Sequence, residues 1–243
     1  MDKKIETFKE MVKESNNIVF FGGAGVSTES GIKDFRSVDG LYNQKYEYPP
    51  ETILSHSFFI HNTEAFYKFY RDKLNCLDAK PNITHEVLAE LENKGKLKSI
   101  ITQNIDGLHQ EAGNKNVFEL HGSIHRNYCM NCHKFYGPEK VFNTIDPIPL
   151  CDECGGVVKP DVVLYEEGLD EKILSSAIKS IAKSDLLIVG GTSLMVYPAA
   201  GLIRYFKGNK LVLINKQETA FDNFANLVIH DSIGKTFKNI RQE

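Results

Sequence analysis

The stretch FGGAGVSTESGIKDFR, residues 21–36, follows the apolar run Ile18-Val19-Phe20-Phe21 and decides how the rest of the chain is read. A glycine-rich turn leaving a buried strand can bring backbone N–H groups against a phosphate, as in the dinucleotide fingerprint G-x-G-x-x-G that opens a helix. Here the register is Gly23-x-Gly25-x-x-Thr28, so the third glycine is missing. A polar Ser/Thr/Glu stretch replaces the apolar helix start. The loop therefore reads as a nucleotide loop built differently from that of a dehydrogenase.

Working outward, short apolar β-rich runs recur at 18–21, 99–102, 117–120, 186–189, 211–214 and 227–230. Helical patterns lie between several of them. THEVLAELENKG offers Thr84 as N-cap, Val87, Leu88 and Leu91 on one face and Gly95 as the stop; DEKILSSAIKSIAKS places Ile173, Leu174, Ala177, Ile178 and Ile181 at helical spacing. Ile5, Phe8, Met11 and Val12 predict an amphipathic N-terminal helix. The alternation predicts an α/β fold with a doubly wound parallel sheet, whose ligands sit beyond the carboxyl ends of the strands. Two segments break the rhythm. Residues 37–80 are rich in aromatics, from Tyr42 and Tyr46 to Tyr70, and residues 124–157 carry four cysteines. Both read as insertions forming a smaller unit, leaving 1–36, 81–123 and 158–243 to the sheet domain.

The bulk composition excludes several classes. With 42% apolar and 25% charged residues, the chain has an ordinary globular balance, and a net charge of −3 does not predict nucleic-acid binding. No apolar run is long enough to span a bilayer, and the first residues carry charges of both signs instead of a signal-peptide core. A cytoplasmic location is expected.

CMNC and CDEC place Cys129, Cys132, Cys151 and Cys154 in the pattern C-x2-C-x18-C-x2-C. Two such turns can present four thiolates tetrahedrally to one Zn²⁺. Four thiolates leave no position for water, so the expected zinc is structural. A nucleic-acid-binding zinc ribbon is the rival reading, against only moderate basic content. Cys76, left over, reads as a small half-buried side chain.

Three more stretches are polar where strands end: TQNIDGLH from 102, HGS from 121 and GGTSLMVYP from 190. His121 is suited to general-base work near neutral pH, although a buried structural histidine is the alternative. Asn104 can position a water or hydroxyl, and Asp106 can accept from an amide. Asp34 and Arg36 flank Phe35. Thr192 and Ser193 could donate to phosphate or ribose oxygens, and Asn215 is placed for a ribose or adenine contact.

Taken together, GAGVSTESGIKDFR, TQNIDGLH, HG, the paired CxxC turns, GTSLMVYPAA and LIN resemble the sirtuin family of NAD-dependent protein deacylases, in order and spacing, over nearly the whole chain. The resemblance implies a Rossmann-like domain with a smaller zinc and helical module, and NAD consumed as a co-substrate with no hydride moved. It implies that His121 is the general base for the ribose hydroxyls and that Asn104 positions the ribose or a water. Phe35, Arg36, Ile105 and Asp106 would line the nicotinamide side. Ala24, Thr28, Gln103, Thr192, Ser193, Asn215 and Ile233 would hold the rest of the dinucleotide. Residues 27–31 would form a movable lid. Products would be nicotinamide, deacylated lysine and O-acyl-ADP-ribose, and partners would be acyl-lysine proteins or peptides, with neither nucleic acid nor membrane. The sequence does not set the oligomeric state.

Two departures stand out. Lys33 replaces the proline usual in the family. Tyr165-Glu166-Glu167 replaces the usual FGE, a stretch that pairs with the substrate backbone by strand addition. Val163 and Val196 match the family's acyl-lysine pocket. The family's Tyr-x-x-Arg pair for acidic acyl groups is absent: Tyr67-x-x-Tyr70 precedes Arg71. Deacetylation is therefore expected over desuccinylation. A mono-ADP-ribosyltransferase on the same scaffold, or a non-catalytic NAD or zinc-ribbon binding module, are the alternatives.

Overall fold

The computed structural model describes residues 3–35, 40–41 and 46–241; Arg36 and Tyr42 lie outside the described residues. Nine strands are present among them: β1 (Ile18–Gly22), β2 (Leu97–Thr102), β3 (Val117–Glu119), β4 (Gly122–Cys129), β5 (Phe135–Tyr136), β6 (Val158–Val162), β7 (Leu186–Gly190), β8 (Leu211–Ile214) and β9 (Leu227–Ile229). The helices are α1 (Lys3–Glu14), α2 (Pro50–Ile53), α3 (His56–His61), α4 (Thr63–Lys73), α5 (Ile83–Asn93), α6 (Leu108–Glu111), α7 (Glu139–Phe142), α8 (Glu171–Lys183) and α9 (Ile233–Arg241).

The six apolar runs form one six-stranded sheet in the order β3-β2-β1-β7-β8-β9, and every neighbouring pair is parallel. The order reverses between β1 and β7, which is the topological switch point of a doubly wound sheet. Alternate residues of each central strand face opposite layers. Ile18 and Phe20 pack with α1, α5 and α9 through Phe8, Leu88 and Phe237, whereas Val19 and Phe21 pack with Ala177 and Ile181 of α8. Burial on both faces explains why these strands are continuously apolar.

Helix α5 is capped by Asn82, not by Thr84. The Asn82 side chain accepts from the Thr84 N–H, and His85 returns the bond to the Asn82 amide at 3.2 Å, a capping box with histidine in the place of Glu or Gln. Thr84 is buried inside the helix. Gly95 stops the helix as expected, in the left-handed conformation at φ 71°.

The cysteine segment is built on a three-stranded antiparallel sheet, β5-β4-β6. Because β6 pairs with β4, this small sheet runs from 122 to 162 and extends beyond 124–157 at both ends. Its apolar face meets the aromatic insertion. Phe58, Phe59, Phe66, Tyr67 and Tyr70 share one buried cluster with Ile124, Val141, Val162 and Leu164. No helix among the described residues is long and apolar enough to cross a membrane.

Candidate active site

The loops after β1 and β7 meet at the switch point. The Gly25 N–H donates to the Gly191 carbonyl at 2.8 Å. A Cβ at Gly25 would lie 2.8 Å from the Gly191 Cα, and one at Gly23 would lie 2.7 Å from the Thr192 Cβ. The first demand on these glycines is thus the close approach of two chain segments. The backbone then runs through two 3₁₀ turns, Ala24–Val26 and Thr28–Ser30, so the third fingerprint glycine has no counterpart role.

A cleft of about 1070 Å³ opens beyond the strand ends. Ala24, Thr28 and Phe35 line it from the β1 loop, and Gln103, Asn104, Ile105 and Asp106 from the β2 loop. His121 enters after β3, Val163 and Tyr165 after β6, and Thr192, Ser193 and Val196 after β7. Asn215 and Ile233 complete it from the β8 loop and the start of α9. Every site residue read from the sequence and lying among the described residues therefore converges on this cleft, apart from the four cysteines. The hydroxyls of Thr28, Thr192 and Ser193 with the amides of Gln103, Asn104 and Asn215 form a neutral set suited to a dinucleotide's phosphate and ribose oxygens.

His121 is fixed by its surroundings. Its Nδ1 lies 2.9 Å from the Gln103 carbonyl oxygen, and its own carbonyl accepts from the Val163 N–H at 3.0 Å. A carbonyl only accepts, so Nδ1 keeps the hydrogen and Nε2 carries the lone pair. Burial pulls the His121 pKa below 6.5, partly countered by the Gln103 contact, and leaves the ring neutral at pH 7. Gly122, at φ 75°, serves the approach of β6: a Cβ there would overlap the Asp161 carbonyl.

Ser27 is a residue the sequence reading did not assign to the site. It is buried, donates to Asp106 Oδ2 at 2.6 Å and accepts from Asn104 Nδ2 at 3.0 Å. Burial pushes the Asp106 carboxyl above its ordinary range, offset in part by Ser27. Asn82 Nδ2 donates to the Val26 carbonyl at 2.8 Å and to Ser30 Oγ at 2.9 Å. The 27–31 stretch, expected as a movable lid, is thus anchored from two sides.

On the opposite wall, the Tyr165 N–H donates to the Leu54 carbonyl and its carbonyl accepts from the His56 N–H. Both groups are already paired within the chain, which removes Tyr165's own backbone from strand addition. Glu166 sits at φ 76°, in the region that favours glycine, and its carboxylate accepts from the Ser57 N–H at 2.8 Å and Oγ at 3.0 Å. Glu167 accepts from the Leu164 N–H at 2.9 Å and Lys159 Nζ at 3.2 Å and meets His56 Nδ1.

Away from the cleft, the sulfurs of Cys129, Cys132, Cys151 and Cys154 lie within 4.8 Å of one another. Cys129–Cys154 and Cys132–Cys151 are 3.4 and 3.6 Å apart, near the edge of about 3.8 Å of a tetrahedral Zn–S₄ site. The Asn131 and Cys132 N–H groups point at Cys129 Sγ, and the Glu153 N–H points at Cys151 Sγ, which favours thiolates. The donors fit one zinc ion with a closed coordination shell. Burial pushes the separate Cys76 thiol up to about 12, in keeping with an unreactive side chain.

The model of the Sir2 family matches residues 23–198, the span that carries the glycine loop, His121 and all four cysteines. The chain belongs to the Sir2 family. An NAD-dependent protein deacetylase of Clostridium acetobutylicum is 64% identical over 98% of both chains. One of Clostridium perfringens is 60% identical over 99% of both. Among solved structures, a Sir2 complex with a deacetylated p53 peptide and 3'-O-acetyl-ADP-ribose superposes with a TM-score of 0.91 at 39% identity, over 98% of this chain and 97% of that one. A Sir2–p53 peptide–NAD⁺ complex gives 0.88 at 39% identity over the same shares. The six-stranded parallel sheet and the four clustered cysteines of this chain bear out the two structural expectations drawn from the sequence, the doubly wound sheet and the zinc module.

Proposed function

We propose that this chain is an NAD-dependent protein lysine deacetylase, which converts acetyl-lysine, NAD and water to lysine, nicotinamide and O-acetyl-ADP-ribose. The observation that carries the reading is the neutral His121 ring, held through Nδ1 with Nε2 left as a base, in a cleft that also receives the glycine loop. Bound NAD supplies a ribose carbon activated by departure of neutral nicotinamide. His121 Nε2 takes the proton from a ribose hydroxyl, and Asn104, held by Ser27, orients the ribose or a water. Ala24, Thr28, Gln103, Thr192, Ser193, Asn215 and Ile233 hold the dinucleotide, and Phe35, Ile105 and Asp106 shield the nicotinamide side from water. Val163 and Val196 flank the acyl-lysine, with Tyr165 at the groove's rim. Peptides and proteins bearing acyl-lysine are the partners.

The acyl group is small and neutral. Arg71 donates to the carbonyls of Val141 and Asp146, and the Tyr67 hydroxyl donates to the Val158 carbonyl. Neither side chain lines the cleft, so neither meets an acidic acyl tail. The test is incubation with NAD and matched acetyl- and succinyl-lysine peptides, read by mass spectrometry. Deacetylated peptide with O-acetyl-ADP-ribose is the expected result. ADP-ribosylated protein without deacetylation overturns the reaction, and faster desuccinylation overturns the acyl preference.

A further inference from the structure

Glu29 lies in the loop that follows β1, yet its carboxylate reaches the start of α9. Its Oε1 accepts from the Gly234 N–H at 3.0 Å and from Ser232 Oγ. The first turn of a helix has N–H groups without intrahelical acceptors, and a carboxylate there also meets the positive end of the helix dipole. Ser232 Oγ serves the Lys235 N–H at 3.5 Å, so Glu29 supplies the acceptor that the cap itself does not provide for Gly234. The fit is close: a Cβ on Gly234 would lie 2.0 Å from Glu29 Oε2.

The two ends of this contact belong to different walls of one cleft. The loop carries Ala24 and Thr28; α9 opens with Ile233, which is buried and lies so close to β7 that a Cβ on Gly190 would come within 2.3 Å of its Cδ1. Asn82 and Asp106 hold the loop to α5 and the β2 loop, whereas Glu29 ties it to the α9 wall through the hydrogen bonds described above.

We propose that Glu29 is a positioning residue for NAD: by bonding Ser232 and Gly234 it sets the cofactor loop and the α9 wall at the separation the dinucleotide needs. The inference rests on the reading of the cleft as the NAD site. Glu29 touches no reacting atom. Its loss raises the dissociation constant for NAD and leaves kcat at saturating NAD, and KM for the peptide, as they are.

Titration calorimetry of NAD into the zinc-loaded protein, with steady-state kinetics on an acetyl-lysine peptide, provides the test. Glu29→Ala should weaken NAD about fivefold, the size of one lost capping contact. Glu29→Gln keeps an Oε1 acceptor and should bind close to wild type. Gly234→Ala displaces the carboxylate from the other side and should weaken NAD by a similar factor. The double variant Glu29→Ala/Gly234→Ala should be no weaker than either single one, because both remove the same contact. Wild-type affinity in both single alanine variants, or additive losses in the double variant, overturns the proposal. Wild-type protein that binds no NAD overturns the reading of the cleft, a separate outcome.

Discussion

The Nδ1 of His121 is bound to the Gln103 carbonyl oxygen at 2.9 Å, and this single contact dictates which nitrogen is left to act as a base. Because burial holds the His121 pKa below 6.5, the ring stays neutral as pH falls through 6.5 and is protonated only further down. The acid limb of kcat/KM should therefore have its midpoint below pH 6.5. A profile measured from pH 5 to 8 checks this, and a midpoint above 6.5 contradicts it. His121→Ala should lose at least about 100-fold in kcat, with zinc content and melting temperature retained; near-native turnover would remove His121 from its role.

The cysteine cluster should be separable from the chemistry. Around it the small sheet has little apolar support: Cys129, Cys151 and Val158 form their own small buried cluster, with Tyr136 packed against it. Metal coordination takes the place of a core there. Cys151→Ala should release the bound zinc and lower the melting temperature by on the order of 10 °C. Elemental analysis and a thermal melt read both effects, and unchanged zinc content would refute the assignment.

The large sheet was legible because strands buried on both faces leave long apolar runs, and each of the six runs became a strand of it. The small sheet was not. SIHRNYC in β4 and VKPDV in β6 are short, mixed in polarity and, in β6, interrupted by Pro160, so no periodicity marks them. The cap of α5 was misplaced by two residues because Asn82 and Thr84 are both good caps, and burial of Thr84 in the tertiary fold decides between them. Ser27 escaped notice for a similar reason. Its partner Asp106 is 79 residues away, and only the crossing of the β1 and β2 loops joins them. Convergence of the cleft residues was legible, since strand ends of a parallel sheet share one edge.

Glu166 offers a test of backbone strain at the peptide wall. A non-glycine residue at φ 76° costs about 1 kcal/mol, and the two bonds to Ser57 return a comparable amount. Glu166→Ala keeps the strain and loses the bonds, so it should destabilise by about 1–2 kcal/mol. Glu166→Gly loses the bonds and the strain together and should fall within about 0.5 kcal/mol of wild type. Urea midpoints give the order; alanine as stable as glycine would show that the left-handed backbone carries no cost here.

The pair His85 and His109 should govern how stability responds to acid. The rings are buried with centroids 4.7 Å apart, and His85 Nε2 and both nitrogens of His109 have no hydrogen-bond partner among the described residues. Burial pulls the His85 pKa down to about 4 and that of His109 well below its usual value, with His85 adding to the depression. In the unfolded chain both titrate near 6.5. Above pH 6.5 neither state binds these protons and the pair is silent. Below it the unfolded chain takes them up while the native protein does not, so stability is lost by about 1.4 kcal/mol per pH unit for each histidine. His109→Leu removes one of the two and relieves two unpaired nitrogens. The variant should therefore gain on wild type by about 2 kcal/mol between pH 7.5 and pH 5. Urea unfolding at pH 7.5, 6 and 5 measures that difference, and a gap that does not change with pH would show that His109 is protonated in the native protein as readily as in the unfolded chain.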